Sequence, residues 1–297
     1  MLPFLSMGSQ IGVAMTALYG LLGLTSLSVR LAAGAAPSST LSAQVNAWWR
    51  IFPFISLALV IYPVGSALLA CAIWLLAIAE LAPYQSKARP RFWAGGAAAS
   101  ALALALQAFA PYLLSGVFSG LIVIQYWRFN AHPDHDKLVN LLLLVTVGAL
   151  AVLPLFARLP FDSPTNLAWL FYLFVLTALN DIGQFISGKL FGRQKIAPHI
   201  SPNKTWQGLI GGVVVSQLVT LVLGRYFGLG SAPRLAVYAL LLSLGGFVGD
   251  LMYSAAKRHL GIKDFSQLIP GHGGILDRVD SLVITAPLLY WLIRTFE

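Results

Sequence analysis

Asp250, Ser254 and Lys257 fall at i, i+4 and i+7, a spacing that puts an acid, a hydroxyl and an amine on one helix face. Asp277 and Asp280, at i and i+3, share a face in turn. Between the two groups, Pro270, Gly271, His272, Gly273 and Gly274 form a turn whose glycines let backbone N–H groups approach an anion without a Cβ in the way. Carboxylates beside such a loop are hard-oxygen ligands of the kind Mg²⁺ takes when it also bridges phosphates. The blander reading gives the first-turn aspartates to helix capping, Asp250 to an ion pair with Lys257 or Arg258, and His272 to a local hydrogen bond. Capping explains one aspartate and leaves the rest of the cluster without a cause.

Residues 188–208, reading GKLFGRQKIAPHISPNKTWQG, supply cations and a helix start. Ser201 is placed to cap that helix with Pro202 at its first position, leaving N–H groups that attract phosphate beside Lys204 and Thr205. Alternatively, Lys189, Arg193 and Lys195 are ordinary loop charges at a membrane face, and Trp206 belongs to an interfacial aromatic belt. Upstream, Asn180, Asp181 and Gln184 interrupt an apolar run, where polar residues either glue helices or line a site; Asp181 is assigned to the site. Gly208 and Gly212, like Gly245 and Gly249, have the small-xxx-small spacing that lets backbones approach closely beside the acids.

The elements that must position these groups are hydrophobic throughout. The 297 residues are 58% hydrophobic and 10% charged, with a mean hydropathy of +0.79, far from the roughly 25% charge of soluble domains. An all-α, polytopic transmembrane helical bundle follows, since each span takes about 20 apolar residues and no sizeable soluble domain fits beside so many. Apolar segments near residues 9–33, 51–82, 92–110, 112–127, 138–156, 166–188, 206–224, 235–256 and 281–296 predict about nine spans. The range is roughly eight to ten, because Pro53 and Pro63 leave 51–82 as one kinked pass or two short segments. Residues 1–130 read as N-terminal transmembrane helices, and 131–297 as a C-terminal catalytic region with polar loops at 189–205 and 257–280. No Lys or Arg precedes the first apolar run, so it reads as a retained span rather than a cleavable signal.

Most of the nineteen Lys and Arg residues fall on one side of this layout, which places both polar loops in the cytosol, while the short polar loops and the absence of an obvious targeting extension favour a membrane of the bacterial inner type. The net charge of +9 is spread over short loops, which points to lipid headgroups or phosphorylated substrates and away from nucleic acid. Cys71, the single cysteine, excludes an internal disulfide and a multi-thiolate zinc site. The string GQFISGKL at 183–190 falls short of a phosphate-binding P-loop, because Leu190 stands where the metal-binding hydroxyl belongs. Asn203-Lys204-Thr205 has the form of a glycosylation sequon but lies on the predicted cytosolic side, and His132, Asp134, His135 and Asp136 read as a solvated turn.

The order and spacing of these residues resemble the phosphatidate cytidylyltransferases, the CDP-diacylglycerol synthases. The likeness rests on Ser254, Lys257-Arg258, Lys263-Asp264, Ser266, Ile269-Pro270, His272-Gly273-Gly274, Asp277-Arg278 and Asp280, preceded by Gly249-Asp250 and the GKLFG…SPNKTW run at 188–206. It covers about residues 178–282. Tyr253, where many members carry Glu, Ala256, where a larger apolar residue is usual, and the text around Asn180-Asp181 depart from the pattern and mark a divergent branch.

The resemblance implies a reaction that joins CTP and phosphatidate into CDP-diacylglycerol and pyrophosphate, dependent on Mg²⁺, with a monovalent cation such as K⁺ sometimes part of the metal centre. It implies a catalytic group of Asp250, Lys257, Asp277 and Asp280, with Mg²⁺ held by Asp250, Asp277, Asp280 and Asp181. Substrate binding then falls to Lys189, Lys195, Ser201, Asn203, Lys204, Thr205, Ser254, Arg258, Lys263, Asp264, His272, Gly273, Gly274 and Arg278. Rival readings are a CTP-dependent lipid kinase, a cytidylyltransferase for another lipid phosphate, a transporter built around Asp181 and Asp250, and a catalytically silent homologue. The bilayer is the surrounding partner, and a homodimer is the assembly to test.

Overall fold

The computed structural model describes residues 3–33, 40–85, 89–111, 113, 117, 120, 134–268 and 273–297. Pro270, Gly271, His272 and His132, and most of the expected 112–127 span, lie outside the described residues. Helices α1 (Pro3–Ala33), α2 (Thr40–Val60), α3 (Val64–Leu81) and α4 (Arg89–Phe109) make up the N-terminal part. Helices α5 (His135–Leu150) and α6 (Ser163–Phe191) lead to a hairpin of β1 (Lys195–Ala197) and β2 (Ser201–Thr205). Then follow α7 (Trp206–Phe227), α8 (Ala232–His259), the single-turn α9 (Leu276–Val279) and α10 (Leu282–Phe296).

Among the described residues, eight helical stretches are long and apolar enough to cross a membrane. The chain is an all-α, polytopic integral membrane protein. The ambiguous 51–82 segment resolves into two helices: Pro53 is absorbed inside α2, and the chain turns at residues 61–63, where Gly65 packs against the Ala58 backbone too closely for a Cβ. α1 runs antiparallel to α2, with Trp49 Nε1 donating to Ser26 Oγ and Tyr19 bonded to Ser56 Oγ. Asp134 caps α5 by accepting from the Asp136 N–H, as expected of an acid in a solvated turn.

One continuous core joins the N-terminal helices to the rest, with Trp74 and Ile78 of α3 packed in the same cluster as Leu142 of α5, Trp169 and Tyr172 of α6 and Val283 of α10. α5 is buried around most of its circumference, as a helix apolar on all sides must be at the centre of a bundle. Lipid tails are as apolar as these side chains, so close packing and interhelical hydrogen bonds hold the helices together. Asn180 Oδ1 accepts from Ser216 of α7 at 3.2 Å and from Ser243 of α8 at 2.6 Å, tying three helices at one point. Thr177 with Thr285, and Tyr172 with Thr220, do the same for α6–α10 and α6–α7. Each such bond contributes about 0.6–2 kcal/mol. Asn180 is therefore the helix glue among the buried polar residues foreseen in this segment.

The small-residue spacings work as predicted at two positions that matter for the site. A Cβ on Gly212 would strike the Gln184 and Asn180 side chains, and one on Gly249 would strike the Asp280 carbonyl oxygen. These contacts draw α7 onto α6, and α8 onto the start of α10.

Candidate active site

The carboxyl ends of α3, α6 and α8 and the amino ends of α7 and α10 meet at one end of the bundle, and most of the candidate residues stand there. The connection between α6 and α7 differs from expectation. Ser201 does not cap a helix: residues 201–205 pair antiparallel with 195–197, Ala197 opposite Ser201 and Lys195 opposite Thr205. Pro202 lacks an N–H and suits a two-stranded ribbon whose outer edge needs no donor. The cap lies four residues later, where Thr205 Oγ1 accepts from the Gly208 N–H at 3.0 Å. Helix α7 thus starts at Trp206, and the hairpin swings Lys204 back into the bundle.

There Lys204 Nζ lies 2.6 Å from Asp250 Oδ2 and donates to Gln184 Oε1 at 3.0 Å, with the Phe247 ring 5.3 Å away. Ser254 donates to the other Asp250 oxygen at 3.1 Å, so the i, i+4 pair on α8 acts as one unit. Burial works against the Lys204 ammonium, but the Asp250 and Asp181 carboxylates, with a smaller contribution from Asp280, more than offset it and hold its pKa above the ordinary lysine value. Asp250 thus pairs with the cation directly, and acids from α6 and the α9–α10 junction act on it from farther away.

Asp277 is engaged differently. Its Oδ1 accepts from Lys257 Nζ at 2.6 Å, and its Oδ2 accepts from the N–H groups of Phe265 at 3.0 Å and Gly274 at 2.9 Å. Both Lys257 and Asp277 are buried, and the ammonium also lies 5.7 Å from the Phe265 ring. The pair clasps the loop between α8 and α9. Gly273 takes φ +77°, and a Cβ there would press on the Asp277 carboxylate.

The sequence reading missed Glu80, at the carboxyl end of α3. The residue is 7% exposed, and its carboxylate accepts from Ser266 Oγ at 2.6 Å and from the N–H groups of Ile275 at 2.7 Å and Leu276 at 3.0 Å. Tyr84 adds a bond from its hydroxyl to the Phe265 carbonyl at 2.8 Å. An acid inside an apolar span was a signal available in the sequence. Of the turn expected to receive an anion, the Gly274 N–H is directed to Asp277, and the Ile275 and Leu276 N–H groups that follow it are directed to Glu80.

The remaining candidates sit at the rim. Arg258 donates to the Ile200 and Ile262 carbonyls, tying the hairpin turn to the loop after α8. Lys189, Lys195, Asn203, Lys263, Asp264 and Arg278 are exposed, with Lys189 6.0 Å from the Phe185 ring. Arg278 and Lys257 act as opposite charges on Asp280, while Asp250 and Asp181 act as like charges. Among the described residues no three acid, imidazole or thiol side chains stand close enough to form a ready-made metal site.

The model of the cytidylyltransferase family matches residues 42–296. A protein of Escherichia coli K12 called uncharacterized protein YnbB is 44% identical over 123 residues, 41% of this chain and 41% of that protein. Phosphatidate cytidylyltransferases of Staphylococcus saprophyticus and Bacillus subtilis are 42% identical over 125 residues and 44% over 137, covering 42% and 44% of this chain. The aligned stretches take in 48% and 49% of those two relatives, so the likeness spans about half their length.

Proposed function

The chain belongs to the cytidylyltransferase family, and from that premise we propose that it joins CTP and phosphatidate into CDP-diacylglycerol with release of pyrophosphate. The observation that carries this reading is Lys204, an ammonium paired with Asp250 at the end of a membrane bundle, with the Asp181 and Asp280 carboxyls acting on it as more distant opposite charges. A cation there suits a phosphate, and the surrounding acids suit a second, metallic cation. Relatives bearing the name phosphatidate cytidylyltransferase supply the acceptor.

In the proposed reaction a phosphate oxygen of phosphatidate attacks the α-phosphorus of CTP. The new P–O bond forms as the bond to the β-phosphate bridging oxygen breaks, and that oxygen leaves with pyrophosphate. A phosphomonoester with a second pKa of about 6 is largely dianionic at neutral pH, so no side chain need remove a proton. Positioning and charge neutralisation carry the catalysis. Lys204 holds a phosphate against the face of α8, while Lys263 and Arg278 at the rim offset charge on the leaving pyrophosphate. Lys257 and Asp277, already paired, keep the loop in shape.

Asp250, Asp181 and Asp280 fit Mg²⁺ in kind: they are hard-oxygen donors whose charges act on one common cation, Lys204. They would hold it jointly with the nucleotide, and when bound it would neutralise phosphate oxygens. Asp277, with both oxygens already accepting hydrogen bonds, is left out of this set. The polar end of the bundle faces the cytosol of a bacterial inner membrane in this reading, where CTP is available.

The test is purified protein in mixed micelles with α-labelled CTP, phosphatidate and Mg²⁺. Label entering the lipid as pyrophosphate appears supports the reading; folded protein that gives neither signal overturns it.

A further inference from the structure

We propose that Glu80 is a positioning residue for the cytidylyl transfer, through which the N-terminal helices set the shape of the catalytic loop; this rests on the reaction proposed above. Glu80 lies outside the stretch of residues 178–282 that carries the chemistry, yet its three hydrogen bonds all end in the 266–276 segment. They span 186 to 196 positions of sequence. Among the described residues no cation forms an ion pair with it; two backbone N–H groups and one hydroxyl compensate the buried charge instead. A buried carboxylate is tolerable only when its lone pairs are met in this way, and its removal leaves the donors unmet.

The position of these bonds gives Glu80 its leverage. Ile275 and Leu276 immediately precede Asp277, and Gly274, whose N–H goes to Asp277, packs against the Glu80 carboxylate so closely that a Cβ would collide with it. Asp277 in turn fixes Lys257 and the Phe265 amide. Residues 265–266 and 274–276 on either side of this connection are therefore held by two carboxylates, Glu80 from α3 and Asp277 from the connection's own end. Tyr84, one turn beyond Glu80, secures the Phe265 carbonyl from the same side. Replacing Glu80 frees one edge of this clasp while the Asn180 junction and the Lys204–Asp250 pair keep their own contacts.

The experiment compares full-length wild type, Glu80→Ala and Glu80→Gln in lipid nanodiscs by amide hydrogen exchange and by steady-state kinetics. Exchange should rise in peptides covering residues 265–277 of Glu80→Ala and stay unchanged in α6, α7 and α8. Its kcat should fall about 10- to 100-fold, the scale reached when a distant change misplaces reacting groups by about 1 Å, with KM for phosphatidate within about twofold. Glu80→Gln keeps the shape and one acceptor oxygen, and should fall between the two. Wild-type exchange at 265–277 in Glu80→Ala, or exchange raised throughout the bundle, would overturn the proposal, as would an unchanged kcat. If the wild type transfers no cytidylyl group while the loop-selective exchange is seen, the clasp stands and the reaction assigned to it falls.

Discussion

At the scale of single residues the account turns on Lys204. Its ammonium joins α6, the hairpin and α8 at a common point, and three acids act on it. Lys204→Met should lower turnover by roughly 10²- to 10³-fold, the size of effect seen when a preorganised charge donor is removed. Steady-state rates on protein whose folding is verified by gel filtration check this, and a loss under threefold would remove Lys204 from the chemistry. The pair also sets a pH dependence. Because the folded pKa of Lys204 is raised above its ordinary 10.5, its stabilising contribution is fully present below 10.5 and fades only as pH rises through the higher folded value. The stability difference between wild type and Lys204→Met should thus stay level from about pH 7 to about pH 10 and shrink above that range. Thermal melts across that range measure it; a difference that shrinks near pH 8 would contradict the arrangement.

At the scale of elements, what the sequence revealed and what it concealed divide along physical lines. Asp250 with Ser254, and the glycine spacings on α7 and α8, were legible because helical periodicity fixes which neighbours share a face. The start of α7 was misplaced because Ser201-Pro202 has the local form of a helix cap, and only pairing with residues 195–197 turns that segment into a strand. The partnership of Lys204 with Asp250 was hidden for the same reason, since the hairpin that brings them together is a tertiary feature. Glu80 was concealed by distance along the chain: its partners are backbone N–H groups of a loop from the other half of the protein. Two substitutions test the element-level account. Thr205→Val removes the cap and should cost about 1 kcal/mol. Gly249→Val drives a side chain against the Asp280 backbone and should cost about 1–3 kcal/mol or more, with turnover falling because Asp250 and Asp280 are pushed apart. Thermal unfolding in detergent checks both, and a Gly249→Val protein as stable and active as wild type would refute the close approach.

At the scale of the whole molecule, a continuous core unites the N-terminal helices with the C-terminal bundle, while large apolar side chains such as Leu218, Leu221 and Phe185 face outward. That surface belongs in lipid, and the charged hairpin and loop belong at one face of it. In a Cys71→Ser background, His199→Cys should react with an impermeant maleimide from the cytosolic face only, and Ser231→Cys, at the opposite end of α7, from the other face only. Labelling of both from one side would contradict the layout. The most direct measurement of the central claim uses CTP labelled on its α- and γ-phosphates with different isotopes, phosphatidate and Mg²⁺ in nanodiscs, for wild type and Asp250→Asn. The account predicts α-label in the lipid in equal amount to γ-label in pyrophosphate, with both lost in Asp250→Asn. γ-Label in the lipid with release of CDP would contradict it and identify a lipid kinase.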